Sequence, residues 1–173
     1  MTVGERLRAR FQEPVAALRQ AGALEGQRIV DLGAGHGFFT VPAAMVVGPS
    51  GFVYAVEPDP KRCGVIGRKA ASEGLGNVKV LKTGAEHLGE IPTATVDLVF
   101  SAFTLHHFVD MQAAMSETLR VLKDGGTFFA WDRVPGMLVR HGTRREDFDK
   151  LSSGFSRYDV LSSGRAIKAR YTK

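Results

Sequence analysis

The sequence predicts an α/β protein with a doubly wound, mostly parallel, seven-stranded sheet that ends in an antiparallel hairpin. Short apolar runs that suit buried strands alternate with segments of helical periodicity, which is the pattern of successive β–α–β units. The end of the chain breaks this alternation, because only four residues, Ser162 to Arg165, separate two strand-like runs there. We therefore expect parallel strands and a terminal hairpin to share one sheet.

Five strands are predicted from runs rich in Val, Ile, Phe and Leu, since near-continuous apolar runs suit strands covered on both faces. They are Arg28 to Leu32, Phe52 to Glu57, Val78 to Lys82, Val96 to Ser101 and Thr127 to Trp131. Helical segments are predicted between them, at Phe38 to Val47, Lys61 to Glu73, Glu86 to Leu88 and Met111 to Leu122. Glycine-containing turns separate helix ends from the next strands, at 48–51, 74–77 and 123–126. The terminal part is predicted as a helix and two strands, at Glu146 to Ser152, Phe155 to Leu161 and Ala166 to Tyr171.

The domain organisation is predicted to be simple. Residues 1–25 are expected to form one or two lead-in helices, because apolar residues recur there at helical spacing and Pro14 interrupts them; these residues are Leu7, Phe11, Val15 and Leu18. Residues 26–173 are expected to form a single domain. Apolar residues make up 44% of the 173 residues and charged residues 24%, which is the balance of a soluble globular protein with a packed core.

Composition argues against several classes of protein. No apolar stretch reaches the roughly 18 residues of a membrane span, and the stretch MTVGERLRARF lacks the apolar segment of a signal peptide, so we expect a cytoplasmic protein. A single cysteine, Cys63, excludes an internal disulfide, and the carboxylates Asp97 and Asp132 are too few to predict a metal centre. The net charge of +5 is spread over both ends without interleaved aromatic residues, which argues against nucleic acid as a partner.

A glycine-rich turn, GAGHGFF at 33–39, follows the first predicted strand and precedes a helix. Ligands of open parallel sheets bind at the carboxyl ends of the strands, where a glycine turn lets backbone approach them closely. Asp31 lies near the end of the first strand, and Glu57 ends the second, where its carboxylate can accept hydrogen bonds from the two hydroxyls of a ribose. Phe38 stands where the dinucleotide fingerprint has its third glycine, which argues against a nicotinamide-dependent oxidoreductase.

Four segments, in the same order, resemble the successive motifs of class I S-adenosylmethionine-dependent methyltransferases. They are Asp31 to Thr40, Val53 to Pro58, Val96 to Phe108 and Leu119 to Gly126. The resemblance is strongest to the small-molecule branch that includes the quinone-biosynthesis C-methyltransferases, and it runs from about Ile29 to Trp131. It implies a Rossmann-like fold, S-adenosylmethionine as cofactor with S-adenosylhomocysteine as product, and methyl transfer to a small-molecule acceptor mainly by alignment of acceptor and sulfonium.

The resemblance also implies roles for individual residues. The methionine arm of the cofactor would lie against the glycine turn, Asp31 would orient its ammonium, and Glu57 would hold the ribose diol. The turn residues concerned are Gly33, Ala34, Gly35, Gly37 and Phe38. The adenine would be flanked by Pro58, Gly84, Ala85 and Glu86, and Ser101 would place a carbonyl near the reactive methyl. Relatives commonly carry an acidic residue at the position of Gly84, so either the backbone of Ala85 or the side chain of Glu86 must take that role here.

His106 and His107 follow the fourth predicted strand, where the acceptor should enter. A histidine there can be a general base for a neutral hydroxyl, an amine or an acidic carbon, although both residues could equally begin a helix without any chemical role. A non-catalytic S-adenosylmethionine-binding protein stays open as an alternative. We further hypothesise an open pocket, which is closed by a second subunit in a homodimer or by residues 1–25 acting as a lid.

Overall fold

The computed structural model describes residues 13–136, 141–162 and 164–173. Within these residues seven strands form one sheet. They are β1 Arg28–Leu32, β2 Phe52–Val56, β3 Val78–Leu81, β4 Val96–Ala102, β5 Leu122–Arg133, β6 Arg157–Ser162 and β7 Ala166–Thr172. The predicted first strand matches β1 in both of its bounds, and the next three predicted strands differ from β2, β3 and β4 by one residue.

The strand order is β3-β2-β1-β4-β5-β7-β6. Strands β1 to β5 pair in parallel, whereas β7 is antiparallel to both β5 and β6 and lies between them. The predicted fold class is therefore confirmed. The strand order reverses between β1 and β4, so that the carboxyl ends of these two strands border the crevice in which sheets of this kind bind ligands. We call the edge formed by the carboxyl ends of β1, β2, β4 and β5 the carboxyl edge.

Helices connect the strands and cover both faces of the sheet. They are α1 over residues 13–21, α2 Thr40–Val47, α3 Pro60–Ser72, α4 Met111–Val121 and α5 Arg145–Lys150, with a 3₁₀ turn at Leu105–His107. Asp59 caps α3 by accepting a hydrogen bond from Lys61 N at 2.7 Å, and the proline at 60 supplies a helical φ at the first helical position. No helix among the described ranges is long and apolar enough to cross a membrane.

The core lies on both faces of the sheet because successive residues of each strand point to opposite sides. In β4, Leu98 and Phe100 belong to the cluster that packs with α1 and α2, whereas Val99 belongs to the cluster that packs with α4 and α5. Leu18 of α1 is fully buried in the first of these clusters. The described part of the lead-in segment is thus packed against the sheet, while Leu7 and Phe11 lie outside the described residues.

Most predicted bounds agree with the structure within two residues, but two predictions were wrong by more. Leu122 was predicted to end the preceding helix, but it is the first residue of β5, because it pairs with Val96 of β4. The register then shifts, so that Leu98 pairs with Thr127. The intervening residues form an irregular part of the strand, which starts earlier than the predicted Thr127. The predicted helical piece at 86–88 is a turn instead, in which Leu88 is buried and its N–H donates to Glu117 Oε2 at 2.9 Å.

Candidate functional site

The glycine-rich turn at 33–39 begins as a continuation of the sheet. The backbone N–H groups of Gly33 and Ala34 both donate to Val56 O, at 3.0 and 2.9 Å. Gly33, Gly35 and Gly37 have φ values of +79°, +57° and +76°, in the left-handed region that side-chain-bearing residues rarely adopt. This backbone explains why glycine recurs at alternate positions.

The three glycines of the turn approach different partners. A Cβ atom at Gly33 would collide with the side chain of Thr104, in the loop after β4. A Cβ atom at Gly37 would lie 3.3 Å from Cγ1 of Ile66, in α3. At Gly35 a Cβ atom would have no neighbour within 4 Å. Gly33 and Gly37 therefore let parts of the protein pack together, and Gly35 presents its backbone to open space.

Asp31 is the next-to-last residue of β1, at the carboxyl edge, and is only 3% exposed. Its Oδ2 accepts a hydrogen bond from Thr40 Oγ1 at 2.6 Å. Burial raises the pKa of Asp31 to about 6; the hydrogen bond from Thr40 opposes this shift, and the negative charge of Glu57 adds to it. A carboxylate held here without a cation is costly, so a positively charged ligand group beside it would be stabilising.

Glu57 follows β2 directly and is also 3% exposed. Its Oε2 accepts from Gly35 N at 2.9 Å and its Oε1 from Asp59 N at 3.0 Å, while Nη1 of the half-exposed Arg62 lies 3.8 Å from Oε1. Each carboxylate oxygen can accept a second hydrogen bond. The structure thus joins Gly35 and Glu57 directly, and it places two buried carboxylates at the ends of neighbouring strands.

The residues predicted to flank an adenine lie in two places. Pro58 is exposed beside Glu57. The side chain of Ala85 is buried in the core, so that only its backbone can serve a ligand. Glu86 Oε1 accepts from Val109 N at 2.8 Å and thereby holds the loop that precedes α4. Its Oε2 lies beside Gly84, and a Cβ atom added to Gly84 would lie 2.5 Å from this oxygen.

Two further predicted residues, Ser101 and Phe38, differ in their exposure. Ser101 is fully buried in β4, where it pairs with Ala130, and its Oγ has no hydrogen-bond partner among the residues that the structure describes. Phe38 is 56% exposed and packs edge-on against Phe39, with ring centroids 4.9 Å apart. An apolar ring with this exposure beside the glycine turn offers a surface for a ligand to cover.

The two histidines after β4 differ in their surroundings. His106 Nδ1 lies 2.9 Å from Oδ2 of Asp132, which is fully buried near the end of β5, and the His106 side chain is 16% exposed. Asp132 also accepts hydrogen bonds from Thr143 Oγ1 and Arg133 N, both at 2.8 Å. His107 is exposed, and the desolvation caused by the atoms still around its ring, followed by the neighbouring His106, lowers its pKa.

Asp132 was expected at most as a metal ligand, and its contact with His106, 26 residues away, was not predicted. The sequence feature that could have indicated this contact is an acidic residue near the carboxyl end of a buried strand. Asp132 comes two residues after the fully buried Ala130 and faces the same side of the sheet. A carboxylate buried at that depth requires hydrogen-bond partners, and His106, Thr143 and Arg133 N supply them.

A cavity of about 930 Å³ lies between α4 and the segment that follows β5. We call it the α4–α5 cavity. Its apolar side is formed by Leu105, Phe108, Met111, Met115 and Leu119. Polar side chains at its border include His106, Thr143, Arg144 and Asp147. Two of the partners of Asp132, His106 and Thr143, thus line the same cavity.

Comparison with known proteins gives consistent matches. A family model described as a methyltransferase domain matches residues 30–130. The chain is 33% identical to the ubiquinone/menaquinone biosynthesis C-methyltransferase UbiE of Shewanella halifaxensis over 110 residues, which are 63% of this chain and 43% of that protein. It is 34% identical to the protein of the same name from Shewanella woodyi over 136 residues, which are 78% of this chain and 53% of that protein. The chain thus spans about half the length of these curated relatives.

Solved structures match over nearly the whole chain. A SAM dependent methyltransferase from Aquifex aeolicus superposes with a TM-score of 0.76 and 26% identity, covering 95% of this chain and 91% of that chain. A SAM-dependent O-methyltransferase from Thermotoga maritima superposes with a TM-score of 0.72 and 20% identity, covering 94% of this chain and 64% of that chain, and shows the fold alone. The family resemblance predicted from four segments of sequence is confirmed, and the chain belongs to the methyltransferase domain family.

Proposed function

We propose that this chain binds S-adenosylmethionine at the carboxyl edge and transfers its methyl group to a small-molecule acceptor, with S-adenosylhomocysteine as the product. One observation carries the proposal. Two buried carboxylates, Asp31 and Glu57, flank the glycine whose backbone faces open space, Gly35. The similarity to UbiE and to the Aquifex aeolicus methyltransferase supports both the cofactor and the reaction class.

The residues at this edge fit the groups that S-adenosylmethionine carries. Its ammonium and sulfonium are positive, and either would relieve the cost of ionising the buried Asp31. Its ribose offers two hydroxyl donors, and both oxygens of Glu57 can accept a second hydrogen bond. We assign the ammonium to Asp31, directly or through water, the ribose diol to Glu57, and the methionine arm to the backbone at Gly35.

The remaining predicted residues complete the proposed site. Gly33, Ala34 and Gly37 keep the turn in place, and the exposed ring of Phe38 borders it. The adenine would lie between Pro58 and the 84–86 segment, with the backbone of Ala85 and Oε2 of Glu86 as hydrogen-bonding groups. The Ser101 carbonyl would lie near the reactive methyl.

The chemical demands on the protein are modest. S-adenosylmethionine supplies a methyl group that is already activated by its bond to a sulfonium. The side chains of this chain therefore have to bind, align the acceptor and exclude water. To exclude water from the reacting groups, the site at the carboxyl edge is proposed to be covered during the reaction. We propose that the cover is a second copy of the chain in a homodimer or residues 1–25 acting as a lid; within that segment, residues 13–21 are packed on the sheet. A cytoplasmic location also remains a proposal.

Isothermal titration calorimetry with the full chain tests the cofactor. S-adenosylmethionine and S-adenosylhomocysteine are expected to bind, and Glu57→Gln is expected to weaken both by about 10-fold to 100-fold, since a hydrogen bond to a charged group contributes about 1.5–3 kcal/mol. The matched control is Glu25→Gln, an exposed residue that precedes β1 at the opposite end of the sheet, and it should bind like the wild type. Binding of NAD in place of the adenosyl ligands would favour an oxidoreductase. Binding without any methylated product across a broad acceptor panel would favour the non-catalytic alternative.

A further inference from the structure

We propose that the α4–α5 cavity receives the methyl acceptor and that His106, held in place by Asp132, removes a proton from it. The acceptor is then a compound that loses a proton from or beside the atom that is methylated: a hydroxyl, a thiol, an N–H or an acidic carbon. This inference rests on the proposed function, because it concerns the second substrate of the same reaction. It also separates the roles of His106 and His107, which the sequence left equivalent.

The hydrogen bonds of Asp132 define which nitrogen of His106 is available. Asp132 Oδ2 accepts from Thr143 Oγ1 at 2.8 Å and lies 2.9 Å from His106 Nδ1, while Oδ1 accepts from Arg133 N. A carboxylate can only accept hydrogen bonds, so Nδ1 of His106 must carry the ring proton of the neutral imidazole. The lone pair is then on Nε2, which is the arrangement that a general base needs.

The loop that carries His106 connects the two proposed sites. It lines the α4–α5 cavity. Two residues earlier, Thr104 packs against Gly33 of the glycine turn so closely that only a glycine fits there. The loop after β4 therefore contacts the proposed cofactor site at Thr104 and borders the cavity at His106. The loop that carries the proton acceptor His106 thus borders both proposed binding sites.

The cavity has the size and lining of a small-molecule site. Its volume of about 930 Å³ is within the range of about 300–1,000 Å³ that is typical of ligand pockets. Met111, Met115 and Leu119 recur at helical spacing along α4 and give it one apolar wall, and His106 and Thr143 give it a polar end. Gln112, Ser116, Arg144, Asp147 and Lys150 also line the cavity, so the lining fits an acceptor with an apolar part against α4 and a polar part that carries the protic group.

The reaction step balances with these groups alone. His106 Nε2 takes the proton of the acceptor, and the electron pair left on the acceptor forms the new bond to the methyl carbon. The electrons of the carbon–sulfur bond pass to the sulfur, which becomes a neutral thioether. His106 becomes an imidazolium, whose positive charge lies 2.9 Å from the carboxylate of Asp132. The proton then leaves to solvent.

His107 does not share this arrangement. Its ring centroid lies 4.0 Å from that of His106, but among the described residues it has no hydrogen bond to a carboxylate. The charged or titratable groups around His106 are Asp132 near the end of β5, His107 on the same turn, and Arg144 and Asp147 across the cavity. Asp147 is paired with Lys150 at 2.9 Å. Asp132 is therefore the carboxylate that positions His106.

Long-range ¹H–¹⁵N correlation spectra of the histidine-labelled full chain test the tautomer without any acceptor. The chain has five histidines, and the signals of His106 are assigned from their loss in His106→Gln. The wild type at pH 8 is expected to show Nδ1 protonated and Nε2 bare. Asp132→Asn is expected to shift His106 toward the other tautomer, whereas Asp97→Asn, the same change at a surface ion pair, should not. A wild-type His106 protonated on Nε2 would overturn the proposal even if Asp132→Asn fails to fold.

Methyl transfer to 4-ethylphenol tests the chemistry through release of S-adenosylhomocysteine, because its hydroxyl, like that of tyrosine, keeps its proton at neutral pH and has to lose it for methyl transfer. His106→Gln is expected to lower kcat by about 100-fold or more with little change in KM for the phenol. His107→Gln is expected to lower kcat less than 10-fold, and the control His87→Gln, in an exposed turn, should leave it unchanged. Quinoline accepts a methyl group without losing a proton, so any transfer to it should be insensitive to His106→Gln.

Three results of the activity assay would overturn the proposal. They are turnover of quinoline alone, equal turnover of 4-ethylphenol by wild type and His106→Gln, and the failure of 4-ethylphenol both to be methylated and to shift the His106 signals. Failure of the proposed function is distinguishable from these results, because calorimetry would then show no binding of S-adenosylmethionine, whatever tautomer His106 adopts. Binding of S-adenosylmethionine together with the wrong tautomer would refute only this inference.

Discussion

Asp31 is predicted to destabilise the ligand-free protein at neutral pH. Burial raises its pKa from the usual 3.8 to about 6. Between about pH 4 and pH 6 the folded protein therefore binds more protons at this site than the unfolded chain does, and the free energy of unfolding falls as the pH rises through that window. The shift is about two pKa units, and each unit corresponds to 1.36 kcal/mol, so the loss is about 3 kcal/mol and is complete above pH 6.

The substitution Asp31→Asn removes this penalty. The amide oxygen can still accept the hydrogen bond from Thr40, and the buried group no longer has to ionise. At pH 7.5 the variant is expected to be more stable than the wild type by up to about 3 kcal/mol. This corresponds to a rise in Tm of about 6–12 °C at 2–4 °C per kcal/mol for a domain of this size. At pH 4, where the wild-type carboxyl is already neutral when folded, the difference should be close to zero.

Urea unfolding of ligand-free wild type and Asp31→Asn from pH 4 to pH 8 measures the difference directly. Asp97→Asn is the matched control, because Asp97 is partly exposed and paired with Lys123 at 2.6 Å, so that its loss should not stabilise the protein at any pH. A variant that is no more stable than wild type at pH 7.5 would refute the reasoning. Under the proposed function the same variant should also bind S-adenosylmethionine more weakly, since the ammonium loses its carboxylate.

Further substitutions separate the roles of neighbouring positions. Gly35→Ala and Gly37→Ala should each lower the free energy of unfolding by about 1–2 kcal/mol, because both glycines have a left-handed backbone. Gly37→Ala should lower the Tm more, because a Cβ atom there would lie 3.3 Å from Ile66. Gly35→Ala should weaken the binding of S-adenosylmethionine more, as measured by calorimetry. Phe100→Ala, in the middle of β4 between the rings of Phe39 and Phe129, should lower the free energy of unfolding in urea by about 3–5 kcal/mol. Arg120→Ala should speed amide hydrogen exchange in residues 88–95, because the Arg120 guanidinium donates hydrogen bonds to the carbonyls of residues 88 and 91. Unchanged exchange there would show that these hydrogen bonds do not hold the segment in place.

Local patterns were enough to predict most of the sheet and part of the site. The apolar run at Arg28–Leu32 is bounded on both sides by polar residues or glycine, so β1 could be placed to the residue. The start of β5 could not, because Leu122 is a strand residue only through its pairing with Val96, and the helical spacing that ends in it looks the same without that partner. Strand order likewise depends on pairings that no local pattern specifies.

The candidate site divides in the same way. Asp31 and Glu57 stand at the ends of apolar runs, and this alone places them at the carboxyl edge. The separate tasks of Gly33, Gly35 and Gly37 could not be predicted, since they depend on side chains from two other parts of the chain. The contact between His106 and Asp132 could not be predicted from sequence either, because the two residues are 26 positions apart and α4 and most of β5 lie between them.

The position of β7 between β5 and β6 has a consequence for synthesis on the ribosome. Until residues 166–172 have emerged, β5 is an open edge with unpaired N–H and C=O groups, and β6 has no neighbour in the sheet. The fully buried ring of Tyr171, which stacks on Phe128 and Tyr158, would then also be missing from the core. We expect nascent chains that stop before Ala166 to depend on chaperones and to aggregate when released, whatever the state of the ligand-binding edge.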